Sequence, residues 1–99
     1  MKTLLVTAHP KKDSLCMTLA QCTLDELRSQ GHEVTIENLY ANNFNPVLTE
    51  YERDLYYHSP YDITSVEKEI RRLRDCEFLI LIFPTWWFGF PAILKGWFD

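Results

Sequence analysis

The stretch FLILIFPTWWFGFPAILKGWFD, Phe78 to Asp99, decides how this chain is read. Its opening run, Phe78 to Phe83, is wholly apolar, too short to cross a bilayer, and of the length expected for a strand buried on both faces. Pro84 ends the strand, and a loop dense in aromatic side chains follows. Pro91 suits the first turn of a helix that begins Ala92-Ile93-Leu94-Lys95-Gly96-Trp97. A buried strand that leads through a shaped loop to a helix N-terminus is where open α/β sheets place their ligands.

The residues upstream supply the partners such a strand needs. Thr3 to Ala8 is a β-rich run, and His9-Pro10-Lys11-Lys12-Asp13 is a polar loop. Ser14 can cap a helix, because its hydroxyl can accept a backbone N–H. Cys16, Ala20, Thr23, Leu24 and Leu27 then fall on one helical face, and Gly31 suits the left-handed residue that ends a helix. Glu33 to Glu37 alternates, with Val34 and Ile36 as the apolar side of a half-buried second strand. The chain therefore opens β-α-β, and right-handed crossover geometry makes those strands parallel.

From Asn38 to Ile63 periodicity is lost. Asn42, Asn43, Asn45 and Pro46 are turn formers, and Tyr51, Tyr56, Tyr57 and Tyr61 give the stretch an aromatic character. Long excursions in compact domains are usually functional or mobile. A surface loop with a short helix near Glu50 to Tyr57 accounts for the same residues. Thr64 with Glu67 has the pattern of a capping box, and Val66, Ile70 and Leu73 mark the apolar face of the helix it would open. No repeat, low-complexity segment or linker divides the 99 residues, which make one domain.

Composition excludes several classes of function. A net charge of −4 argues against a nucleic-acid partner held through phosphates. The basic run Arg71-Arg72-Leu73-Arg74 sits among Glu67, Glu69, Asp75 and Glu77 and reads as a solvated helix face. Cys16, Cys22 and Cys76 show no C-x-x-C spacing, which disfavours a disulfide framework and favours a reducing cytoplasm. Their spacing with His9, His32 and His58 does not suggest a metal site. The apolar start, Thr3 to Ala8, is too short for a signal peptide, and prolines, a threonine and a glycine interrupt Phe78 to Leu94, so no membrane span is expected.

In a sheet of this kind the first and third strands end at the same edge, so the loops that follow them lie side by side at a switch point. The first loop offers His9, Lys11, Lys12, Ser14 and a helix N-terminus, a set that suits a phosphate. It lacks the Gly-x-Gly-x-x-Gly pattern of dinucleotide folds. The second offers Trp86, Trp87, Phe88 and Phe90, with Gly89 expected to permit close backbone approach. Flat rings beside backbone N–H groups suit a planar heteroaromatic ligand, and together the two loops suit a flavin. The same residues also fit plainer roles: Ser14 as a cap, His9 as a strand end, and the aromatics as core or interface.

Three segments resemble one family. Phe83-Pro84-Thr85-Trp86-Trp87-Phe88-Gly89-Phe90-Pro91-Ala92-Ile93-Leu94-Lys95-Gly96-Trp97-Phe98 is similar to the signature of the flavodoxin-like NAD(P)H:quinone oxidoreductases of the DT-diaphorase type. Asn38 to Pro46 resembles the turn after that family's second strand. Ala8-His9-Pro10 with Ser14 resembles its first loop. The resemblance implies an α/β, flavodoxin-like open parallel sheet with helices on both faces, of which residues 1–99 form the N-terminal half of a single domain, reaching the third strand and the start of the next helix.

The resemblance also implies FAD as cofactor, with FMN in related branches, and NAD(P)H as co-substrate. His9, Ser14, Leu15 and Cys16 would lie along the phosphate and ribityl portion. Pro84, Thr85, Trp86, Trp87 and Phe88 would line the isoalloxazine. Family members pass a hydride from NAD(P)H to the flavin and two electrons on to a quinone, as cytoplasmic homodimers. Cys16 departs from the polar residue often found there, and no catalytic side chain can be carried over. The 99 residues alone are therefore expected to be inactive. Within the same fold, an FMN reductase or azoreductase, a non-catalytic regulatory subunit and a truncated fragment are the alternative readings.

Overall fold

The computed structural model describes residues 1–58 and 60–99. Its centre is strand β1 (Lys2–Thr7), which pairs in parallel with β2 (Glu33–Asn38) on one side and β3 (Phe78–Ile82) on the other, giving the order β2-β1-β3. Among the described residues four α-helices accompany them: α1 (Leu15–Ser29), α2 (Glu50–Asp54), α3 (Glu67–Asp75) and α4 (Ala92–Phe98). The parallel open α/β sheet expected from the sequence is the one observed.

Residues paired across a parallel ladder point to the same face, and neighbours along a strand alternate. Leu4, Val6 and Ala8 thus share one face, where they form the buried core with Leu39 and Leu94, packed by Phe44, Leu81, Phe83, Ile93 and Trp97. Leu5 points the other way and is also buried, on the face that receives Ala20 and Leu24 of α1. A helix-bearing layer on each side is the physical reason that β1 carries an unbroken apolar run.

The local signals at α1 were legible. The Ser14 hydroxyl accepts the Met17 amide at 3.2 Å. At the other end Gly31 has φ +86°, its amide donates to the Arg28 carbonyl and the His32 amide donates to the Leu27 carbonyl, a Schellman termination. The short helix expected near Glu50 is α2, capped by Thr49 and Glu52.

Four expectations are corrected. Thr64 and Glu67 do not form a capping box. The Asp62 carboxylate accepts both the Thr64 amide at 3.0 Å and its hydroxyl at 2.6 Å, a 3₁₀ turn (Thr64–Val66) intervenes, and α3 starts without a side-chain cap. Strand β2 does not bury its Val34–Ile36 side alone, for Ile36 is exposed while Glu37 is 1% exposed. Glu37 is register partner to Val6 and so faces the main core, where Arg72 neutralises it, so Arg72 leaves the solvated face assigned to it. Strand β3 is not buried on both faces either. Among the described residues it pairs with β1 alone, as an edge strand, and Phe78 is 51% exposed.

Candidate functional site

The ends of β1 and β3 deliver their loops to one place. The Ala8 amide donates to the Ile82 carbonyl at 3.2 Å, so the strands remain paired to the point where both loops leave. Just beyond, the His9 ring meets Trp86 edge-on, with centroids 5.7 Å apart and planes at 62°. The adjacency expected from topology is realised in this contact.

The first loop is organised around α1. His9 is half-buried, and its Nδ1 accepts the Lys11 amide at 3.0 Å. The Ser14 amide reaches the Lys11 carbonyl at 3.4 Å, closing the loop onto the helix start. Ser14 is engaged as the cap, as either reading of it required. Leu15 is exposed and Cys16 half-buried, and burial pushes the Cys16 thiol above its usual value. No intrahelical carbonyl can reach the amides of Leu15 and Cys16. The first turn of α1 carries no acidic residue, and the nearest carboxylate in sequence is that of Asp13, before the cap. These features fit an anionic group such as the phosphate of a flavin nucleotide.

The second loop has a fixed base and a free tip. Phe83 packs on Phe90 at 5.0 Å and Phe90 on Phe98 of α4 at 5.3 Å, which anchors the two ends of the loop. Pro84 is half-buried and Thr85 exposed. Between them and Phe90, the Gly89 amide donates to the Trp86 carbonyl at 3.1 Å in a tight turn, with Trp87 and Phe88 at φ +50° and +63°. Positive φ at both central residues is the signature of a type I′ turn, which ordinarily selects Asn and Gly. Trp87 and Phe88 are 95% and 99% exposed, so in this chain they are not core residues. A Cβ at Gly89 would meet nothing closer than the Trp87 carbonyl oxygen at 4.0 Å, and the unusual backbone lies one and two residues earlier.

One polar group at this end of the sheet was not singled out from the sequence. Thr7, the last residue of β1, is buried, and its hydroxyl has no hydrogen-bond partner among the described residues. Its signal was a polar side chain closing an apolar strand next to the loop. A separate cavity of about 300 Å³ lies between Phe44, Pro46, Ile70, Leu73 and Trp97 and takes no residue from either loop. Among the described residues no group of three or more His, Cys, Asp or Glu could hold a metal ion, Cys16, Cys22 and Cys76 are free, and no helix is long and apolar enough to cross a membrane.

Comparisons with known proteins agree with this architecture. A family model described as a flavodoxin-like fold matches residues 1–99. The chain is 33% identical over 114 residues to ribosyldihydronicotinamide dehydrogenase [quinone] of Homo sapiens, covering 99% of this chain and 49% of that protein. It is 31% identical over 114 residues to NAD(P)H dehydrogenase [quinone] 1 of Rattus norvegicus, covering 99% of this chain and 42% of the other. Among solved structures, the NAD(P)H:quinone oxidoreductase from Methanothermobacter marburgensis superposes with a TM-score of 0.87 at 31% identity, over 100% of this chain and 51% of that one. The chain spans about half the length of the curated relatives it matches.

Proposed function

The chain belongs to the flavodoxin-like fold family, and from that premise we propose that residues 1–99 are the flavin-binding N-terminal half of an NAD(P)H:quinone oxidoreductase domain. The observation that carries the reading is the His9–Trp86 contact, which sets a phosphate-friendly helix start beside an exposed aromatic turn at one sheet edge. We assign FAD as the cofactor. The first-turn amides of Leu15 and Cys16, with His9 and the Ser14-capped helix, would hold its phosphate and ribityl portion. Pro84, Thr85, Trp86, Trp87 and Phe88 would line its ring.

The flavin supplies the redox chemistry, hydride acceptance from NAD(P)H and two-electron delivery to a quinone, while the protein binds and orients it. The positive end of α1 would attract the anion. Indole and phenyl faces at the turn exclude water from one side of a planar ring. The 99 residues present only this one side, so the complete site would need further residues and a second subunit. For the same reason the chain by itself should not oxidise NAD(P)H above the rate of free flavin. This reading places the protein in the cytoplasm.

The test is direct. Protein purified from its native coding region should be yellow or take up added flavin with quenching of indole emission, and heat release should identify FAD. Colourless protein whose tryptophan emission ignores both FAD and FMN would overturn the proposal.

A further inference from the structure

We propose that His9 is a positioning residue that locks the loop after β1 to the loop after β3 by using both sides of its ring. On one side Nδ1 accepts the Lys11 amide at 3.0 Å. A ring nitrogen that accepts an N–H holds a free lone pair, so the proton of the neutral imidazole resides on Nε2. The reach from residue i to the amide of i+2 is that of an Asx turn, with imidazole in place of a carboxamide. The ring therefore cannot turn without releasing the loop that leads to Ser14.

On the other side the same ring meets Trp86 edge-on at 5.7 Å. Among the described residues no hydrogen bond joins residues 9–14 to residues 84–90, and this ring contact links the two loops. Trp86 opens the type I′ turn whose tip carries Trp87 and Phe88. The orientation of one imidazole thus ties the aromatic turn to the loop that leads to the helix start. Only the consequence for ligand affinity rests on the flavin reading. The lock itself is a property of the flavin-free chain.

Two substitutions separate the two sides. His9→Asn keeps an oxygen that can accept the Lys11 amide but is too short to reach Trp86. His9→Phe keeps a ring edge but has no acceptor to hold it. In flavin-free protein, long-range nitrogen–proton spectra should find His9 in the Nε2–H tautomer. The Trp86 indole resonance, identified by its loss in Trp86→Phe, should move in both variants while that of Trp97 stays. With FMN and FAD as probes, each variant should bind about threefold to tenfold more weakly, the range of an edge-to-face ring pair. In a Trp86→Ala background, His9→Asn should cost less than it does alone.

An Nδ1–H tautomer, or an unmoved Trp86 resonance in His9→Phe, would overturn the proposal. So would His9 and Trp86 effects on affinity that simply add. Wild-type protein that binds neither flavin would remove the flavin reading, and the tautomer and the Trp86 resonance would still decide whether His9 is the lock.

Discussion

Arg72 donates from Nη1 to Oε2 of Glu37 at 2.6 Å, joining α3 to β2 across 35 residues of sequence. The carboxylate is 1% exposed and its other oxygen accepts the Asn42 side-chain amide at 3.2 Å. A charge is thus tolerated inside the core because every side of it is answered.

Removing one partner should be costly. Arg72→Met would leave Glu37 buried without a counter-charge and is expected to cost about 3 kcal/mol, the lower end for broken buried pairs, since the Arg72 side chain is 32% exposed. Joining it to Glu37→Met should restore most of that loss. Urea denaturation of the single and double variants checks this, and a neutral Arg72→Met would mean that the pair contributes nothing.

Gly96 should resist even alanine. A Cβ at this point of α4 would overlap the Cβ and carbonyl oxygen of Pro46 and come within 2.6 Å of its Cα. Backbone atoms cannot swing aside as a side chain can. Gly96→Ala gains roughly 1 kcal/mol of helix propensity and should still lose about 1–3 kcal/mol to overpacking. A lowered melting temperature is the expected result, whereas a raised one would show that the Pro46 loop yields freely.

The turn at Trp86–Gly89 trades stability for exposed rings. Trp87 and Phe88 hold positive φ, which costs side-chain-bearing residues about 1–2 kcal/mol each. Trp87→Asn combined with Phe88→Gly supplies the residues that the turn type prefers. The double variant should unfold at a higher temperature than wild type and bind flavin less tightly. Lower stability with unchanged flavin affinity would contradict both halves of this expectation.

The segment around α2 should loosen in acid. Hydrogen bonds from the Thr49 hydroxyl and amide hold the Glu52 carboxyl below its usual value, and those from Thr64 do the same for Asp62. Carboxyls depressed by folding stabilise the native state above the unfolded carboxylate range and lose that contribution as pH falls through their lowered folded values. The amide resonances of Glu52 and Thr64 should therefore titrate with midpoints lower than in an unfolded peptide. Midpoints equal to the peptide's would show that these bonds do not persist in solution.

The free edge of β3 should make the 99-residue chain associate. Its five residues, Phe78-Leu79-Ile80-Leu81-Ile82, are apolar and carry no proline or charge that would deter another strand. Sedimentation should find species larger than a monomer, and Leu79→Lys should reduce them. A wild-type chain that stays monomeric at high concentration would refute this.

What the sequence by itself determined is what depends on neighbours within a few residues or on topology. The apolar runs of β1 and β3, the Ser14 cap, the Gly31 termination and the crossover rule were enough to place two loops at one sheet edge, with the residues of the candidate site on them. Tertiary structure decided what depends on distant partners. Glu37 looks solvent-facing in its own strand and is buried because Arg72 arrives from α3. Thr64 carries a cap pattern but spends its donors on Asp62, folded back beside it. Gly96 looks like an ordinary helix residue until Pro46 packs against it, and His9 like a strand end until Trp86 meets its ring. Local pattern encodes conformation, whereas burial and pairing belong to whichever groups the fold brings into contact.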